Sequence, residues 1–427
     1  MPAVDRLLTD RTICICAGSG GVGKTTTSAA IALGMAARGK KVCVLTIDPA
    51  KRLADSLGLE ELGNEASRVD PALLAEQGVE LTEGGELWAM MLDAKATFDD
   101  LVSRHADDED ARDRVLSNPI YQQISGALAG SQEYMAMEKL FELHSEGAYD
   151  LLVLDTPPTR NALDFLEAPR RLTQFIEGRS LEVFLKPTGL AARVAGRGAS
   201  MALSVLKRIL GFDLLADLSE FFSAFSGMVD GFRERAKRVN ELLSAPETTF
   251  LVVCGPQGEP VEEAVYFHRK LTEARLPFGG VVINRVHYPL NGEPVGAGGA
   301  GAEGDGAVAA GGAAGGAAGG DREAVAAAVA EALRGGKGGK AGRGGNGGAS
   351  DPEELAGRVA DSLADHLVLA ERDAAGVARV TAEMRTRAVI CVPYLDEDVH
   401  DLAGLGRINQ YLFATSAERT ALAAGTL

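Results

Sequence analysis

Apolar residues along this chain fall into short unbroken runs, and longer segments with helical spacing separate them. The runs are TICICA (12–17), KKVCVLTID (40–48), LWAMMLD (87–93), DLLVLDT (150–156), TFLVVCG (249–255), GGVVINRV (279–286) and AVICVPY (388–394). Strands that are apolar throughout, rather than alternating, are expected where both faces of a sheet are covered. Strands alternating with helices predict an α/β fold, a mainly parallel sheet with helices on both faces. The first three elements read as strand, loop and Ala-rich helix (TTSAAIALGMAARG), leading into the second strand. That is a βαβ unit with its crossover helix.

Two regions read as helical throughout, one about 97–146 and one about 161–245. They predict a helical subdomain. Around 187–231 the second is unusually apolar yet punctuated by glycines and charges. Either it is buried, or it forms an exposed apolar groove for a hydrophobic partner. Residues 292–350 are Gly/Ala-rich. Such a segment has little apolar surface to offset its ordering entropy, so it reads as a disordered surface insertion. The chain then resumes with a helix and the last strand, so 351–427 completes one domain spanning 1–427.

Charge narrows the partners. Lys and Arg total 43 against 60 Asp and Glu, a net charge of −17. An acidic surface disfavours non-specific contact with nucleic acid. The five cysteines (Cys14, Cys16, Cys43, Cys254, Cys391) sit in or beside the apolar runs and read as buried reduced thiols. Cys14 and Cys16, one residue apart, should share a face of their strand. No CxxC or H-x₃₋₅-H pattern occurs, so no zinc site is expected. No signal peptide and no apolar stretch of transmembrane length is evident, and with the reduced thiols this suggests a cytoplasmic protein.

The chemistry begins at Gly18-Ser19-Gly20-Gly21-Val22-Gly23-Lys24-Thr25, which fits G-x-x-x-x-G-K-[ST]. Glycines there let successive N–H groups converge on phosphate oxygens. Lys24 supplies charge near the β- and γ-phosphates, and Thr25 supplies a hydroxyl for Mg²⁺. The helix that follows, through Thr26, points its positive end at the anion. The loop follows a strand and opens a helix, which is the context that confirms such a match. Gly20, Gly21, Val22, Gly23, Lys24, Thr25 and Thr26 are therefore the candidate ATP contacts. Asp155 ends the run DLLVLD, where a carboxylate can hold Mg²⁺ through water; the plainer reading is a turn aspartate. Asp48 ends the second strand on the same edge, where it could orient or deprotonate attacking water; the plainer reading is a helix cap before Pro49.

GGVGKTT, TIDPAKRLADSLGL, DTPPTRNALDFLEAP and VVINRV occur in one order at characteristic spacings. Together they resemble the ArsA-type ATPases, which include arsenite-pump ATPases and tail-anchored-protein targeting ATPases and are related to the MinD/ParA group. The resemblance covers about 1–290 and 385–412. It implies a dimeric P-loop ATPase that cycles between open and closed forms, with ATP and Mg²⁺ as its ligands. Asp48 would lie in switch I and Asp155 in switch II. Asn284 would match the asparagine that recognises adenine, and Pro393 would lie beside the base.

The chain departs from that pattern at Ser19, where the family carries a second lysine that reaches the partner's phosphates. Arg160, Lys51 or Arg52 could replace it, a paralogous chain could supply it, or turnover could be slow. The assembly is accordingly a homodimer or a heterodimer. Arsenite is not the expected effector, because the cysteines are dispersed. The leading expectation is a Mg²⁺-dependent ATPase switch acting on a hydrophobic client or membrane partner. Its rival is a low-turnover ATP-binding subunit of a heteromer. A MinD-like surface-positioning ATPase would need an amphipathic tail, and residues 407–427 read as weakly amphipathic. A small-molecule kinase would need an acceptor pocket that no motif marks.

Overall fold

The computed structural model describes residues 3–48, 51–124, 131–157, 228–288 and 352–423, together with Ala327 and Glu331. Eight strands make one sheet: β1 (Ile13–Ala17), β2 (Lys41–Thr46), β3 (Ser67–Arg68), β4 (Glu86–Met91), β5 (Leu151–Asp155), β6 (Thr248–Cys254), β7 (Phe278–Val286) and β8 (Val389–Pro393). Their order is β3-β4-β2-β5-β1-β6-β7-β8. Each predicted run holds one strand. Every neighbouring pair is parallel except β3 and β4. The two residues of β3 are exposed and no apolar run announces them, so this edge strand is legible only in three dimensions.

The helices that pack on this sheet include α1 (Lys24–Ala36), α2 (Ala94–His105), α3 (Ser131–Glu146), α4 (Val229–Ser244), α5 (Glu259–Ala274), α6 (Pro352–Met384) and α7 (Leu402–Leu412). β1, β5 and β6 are buried along their whole length, which is why their sequences do not alternate. Successive side chains still divide between two cores. Ile13 and Ile15 join the core that takes in residues from α2 to α6. Cys14 and Cys16 join the other, with α1 and α7. Helices therefore cover both faces of the sheet.

All five cysteines are free and buried. The hydrogen bond to Cys16 and burial push the Cys14 thiol up. Burial pushes Cys43 to about 12 and Cys391 to about 11, and burial with the neighbouring Cys391 pushes Cys254 to about 12. Such groups stay protonated, because burial disfavours the thiolate.

The C-terminal segment is more amphipathic than residues 407–427 suggest. α7 buries Leu402, Leu405, Ile408 and Leu412 against the core of α1. Its apolar stripe begins ahead of Arg407, so a reading that starts there catches only part of it. Arg38, just past the end of α1, stacks its guanidinium 3.9 Å from the centre of the Phe413 ring.

The helical region at 97–146 divides into α2, Glu109–Ser117, Pro119–Ile124 and α3. Asp93 and Asp108 cap two of these helices by accepting from Ala96 and Ala111 N–H groups, which fixes where they start. α4 buries Phe232, Ala236 and Val239 in the same layer. Its Arg235 Nε meets the buried Glu138 of α3 at 2.5 Å. Arg160, the apolar stretch up to residue 227, and the insertion at 292–350 apart from Ala327 and Glu331 lie outside the described residues.

α6 is 33 residues long and carries a fully buried aspartate, Asp373. That carboxylate accepts from the His287 N–H at 2.7 Å and contacts His287 Nδ1 at 2.8 Å. Gln257 Nε2 also donates to it. One buried charge thus ties the helix to the segments leaving β6 and β7.

Candidate nucleotide-binding site

Strand register assembles the first part of the site. Cys16 of β1 and Thr46 of β2 both lie opposite Asp155 of β5. Three adjacent parallel strands thus end level, at the carboxyl edge where open α/β sheets bind ligands. The phosphate loop leaves β1 here and α1 begins at Lys24. Gly23, the residue before α1, has φ 93° and Gly21 has φ 77°, left-handed values that favour glycine. A Cβ on Gly23 would also collide with the amide nitrogen of Asn284.

Asp155 is 1% exposed. Its Oδ2 accepts from Thr25 Oγ1 at 2.7 Å and from Thr46 Oγ1 at 3.0 Å. Its Oδ1 is buried and has no hydrogen-bond partner. Burial pushes this carboxyl up to about 6, although the two hydroxyls and Lys24 pull the other way. The Asp48 N–H donates to Thr46 Oγ1 at 3.2 Å. Thr46 therefore bridges the two aspartates, a role the sequence reading did not assign. The signal was present: a hydroxyl two residues before a strand-end aspartate points to the same edge.

Lys24 is 6% exposed and donates to the Ser19 carbonyl at 2.8 Å. Burial lowers its ammonium, and Asp155, Asp48 and Glu263 oppose that shift. Thr156 is anchored beside them, its hydroxyl donating to the Cys16 carbonyl at 2.9 Å.

β7 supplies the second part. The pairing of β7 with β8 shifts between Ile283 and Val286, where three steps on β7 match two on β8, Cys391 to Pro393. The extra residue is a β-bulge, and bulges re-aim side chains. Here both Asn284 and Arg285 reach the phosphate loop. Asn284 Nδ2 donates to the Val22 carbonyl at 3.0 Å, and its Oδ1 accepts from the Arg285 N–H at 3.0 Å. Arg285 Nη1 donates to the Gly21 carbonyl at 3.2 Å.

These residues line a cleft of about 440 Å³ with Gly21, Gly23, Lys24, Thr25, Thr26, Asp48, Thr156 and Pro393. Arg52, Tyr394 and His400 also line it, as do the acidic side chains Asp55, Glu397 and Asp398. Tyr394, 57% exposed, stacks on His287 with ring centroids 5.1 Å apart. Of the residues expected at the site, the structure gathers Lys24, Thr25, Thr26, Gly21, Gly23, Asp48, Asn284 and Pro393 at one cleft. Asp155 lies beneath it, bonded to Thr25. Gly20 and Val22 belong to the same loop without lining the cleft. Of the three candidate replacements for the missing lysine, Arg52 lines the cleft, Lys51 is exposed and does not, and Arg160 is outside the described residues.

A family model described as anion-transporting ATPase, ArsA type, matches residues 11–292. The chain belongs to the ArsA ATPase family. The match takes in β1 to β7 and the phosphate loop, and ATP hydrolysis is the activity it carries. Among curated relatives, the ATPase GET3 of Rhodotorula glutinis is 28% identical over 275 residues, 64% of this chain and 70% of that protein. The ATPase get3 of Aspergillus terreus is 26% identical over 295 residues, 68% of this chain and 78% of its own length. The ATPase GET3 of Podospora anserina is 24% identical over 294 residues, again 68% and 78%. This ArsA-family ATPase has, among its described residues, no helix long and apolar enough to cross a membrane.

Proposed function

We propose that this ATPase is Mg²⁺-dependent and works as a dimeric nucleotide switch that passes its state to a hydrophobic client or membrane partner, in the cytoplasm. The observation that carries the metal reading is Asp155. A buried carboxylate oxygen without a partner is costly unless something completes it. Its neighbour Thr25 brings a hydroxyl, and the cleft is open to water. One carboxylate, one hydroxyl and water are the hard oxygen donors that suit Mg²⁺. When bound, the ion would neutralise charge developing on the transferred phosphoryl group.

The chain's own residues divide the remaining work. Lys24 and the loop N–H groups hold the β- and γ-phosphates. Thr25 and Asp155 hold the metal, Asp155 through water. Asp48 orients the attacking water and accepts its proton, as phosphoryl transfer to water requires. Asn284 and Pro393 receive the adenine. The amide of Asn284 already gives one N–H to Val22 and keeps a second for the base. Thr46 touches Asp155 and Asp48 together, so hydrolysis felt at one switch segment is felt at the other. Output to a client rests on the apolar stretch around 187–231, which follows β5 in the chain.

The second reading, a low-turnover subunit completed by a paralogue, is favoured by Ser19. Steady-state turnover by the purified chain, with and without Mg²⁺, tests both. Mg²⁺-dependent turnover lost in Asp48→Asn, with nucleotide binding retained, is the expected result. Negligible turnover by the chain, restored by Ser19→Lys, would replace the first reading with the second.

A further inference from the structure

We propose that Arg285 is the second cation of this phosphate loop, contacting the terminal phosphate of ATP in the same chain and so supplying in cis the positive charge that the lysine absent at position 19 would bring across a dimer. This rests on the reading of the cleft as the ATP site.

Four observations converge on it. The bulge in β7 adds one residue between Ile283 and Val286, and so turns two consecutive side chains toward the loop. A regular strand would send one of them to the opposite face. Second, Arg285 has φ 61°, a left-handed value uncommon for a residue with a β-carbon. Such positions persist where the surroundings over-determine them, and they cluster at functional sites. Here the Asn284 carboxamide holds the Arg285 N–H at 3.0 Å, and so fixes that turn.

Third, the guanidinium reaches the Gly21 carbonyl at 3.2 Å, within the glycines of the loop, and lines the cleft beside Lys24 and Thr25. One N–H is spent on that carbonyl. A guanidinium has five, in a planar fork suited to phosphate oxygens. Fourth, no salt bridge between Arg285 and a carboxylate occurs among the described residues, so its charge is not committed to an acidic side chain of this chain. Arg52 also lines the cleft, but among the described residues no hydrogen bond ties its side chain to the loop backbone.

A plain structural role, propping the loop through Gly21, makes a different prediction. A prop supports ATP and ADP alike, whereas a terminal-phosphate contact is felt by ATP alone. Arg285→Gln retains an amide donor for the Gly21 carbonyl and removes the charge, and Arg285→Ala removes both. The experiment measures MgATP and MgADP affinity and ATP turnover for the full chain, these two variants, and Ser19→Lys placed in Arg285→Ala. The expected result is a loss of roughly tenfold or more in ATP affinity or kcat/KM for both variants. ADP affinity should stay within about twofold, and Ser19→Lys should recover most of the loss, because the missing quantity is a positive charge. Equal losses for ATP and ADP, or a loss in Arg285→Ala that Arg285→Gln does not share, would reduce Arg285 to a loop support. Unchanged ATP affinity and turnover in both variants would remove it from the site. If the unmodified chain neither binds nor hydrolyses ATP, it is the reading of the cleft that fails instead.

Discussion

The two walls of the cleft are built on opposite principles. Under the phosphate loop, at the ends of β1, β2 and β5, the site is dry. Asp155, Thr46 and Lys24 are buried, and hydroxyls hold one oxygen of a carboxylate whose other oxygen has no partner. At the ends of β7 and β8 the wall is half open. Arg285 and Tyr394 face solvent, and the order comes from behind, through His287 and the buried Asp373 of α6. The first wall concentrates field where charge changes, because low dielectric magnifies every charge. The second presents a rim that can exchange ligand while a buried carboxylate keeps it in place. A catalytic centre and a recognition rim thus use the same sheet edge with different solvation.

The comparison breaks most sharply at the dry wall. Lys24→Ala and Asp155→Asn should each lower ATP turnover by about 10²-fold or more, since each removes charge from a water-poor site. Steady-state phosphate release checks it, and a loss under tenfold would mean this wall is not catalytic. The same Asp155→Asn should stabilise the nucleotide-free chain at neutral pH by about 1–3 kcal/mol, visible in the thermal midpoint. Burial holds this carboxyl at about 6, above its ordinary value of 3.8. The folded state then binds the extra proton between those pH values. Asp155 therefore costs stability as pH rises from about 4 to 6, and above that its cost is constant. The kcat/KM for MgATP, which reports the free enzyme, should run the opposite way, falling as pH drops below about 6 and the metal-holding carboxylate is protonated.

At the open wall the expected effects are smaller. Asp373→Ala leaves the His287 N–H and the Gln257 amide without their buried acceptor, so stability should fall by about 2–3 kcal/mol in denaturant titration. If the two walls are independent, kcat will survive that change better than nucleotide affinity. Asn284→Ala removes donors to the Val22 carbonyl and to adenine, and should weaken ATP by about tenfold. An ATP-over-GTP preference left intact by that variant would take Asn284 out of base recognition. Tyr394→Ala should do least, about two- to threefold in KM, because an exposed stacked ring contributes little beyond its contact area.

Much of the dry wall was legible in the chain. A phosphate loop has rigid local demands, glycines at the sharp φ values and Lys-Thr at the helix start, so Gly21, Gly23, Lys24 and Thr25 declare themselves. Strand-end aspartates are equally local signals, and both land on the expected edge. The open wall was less so. Asn284 and Pro393 came through family resemblance, whereas Arg285, Tyr394 and the His287–Asp373 contact did not. A bulge is invisible in an apolar run, because it depends on where the neighbouring strand slips by one residue. Asp373 lies 86 positions from His287, and nothing in a helix sequence says that one aspartate among several faces inward.

Sequence alone determined the elements that obey local rules: the seven apolar strands in chain order, the two-faced parallel sheet, the phosphate loop and its lysine. These follow from backbone sterics and from the burial of continuous apolar runs. Tertiary structure alone decided which distant residues meet. It set Thr46 between Asp48 and Asp155, isolated one carboxylate oxygen, and turned Arg285 onto the loop that lacks its second lysine. The reason is register: the level at which parallel strands end, and the single residue by which β7 outruns β8, arise only when the strands pair.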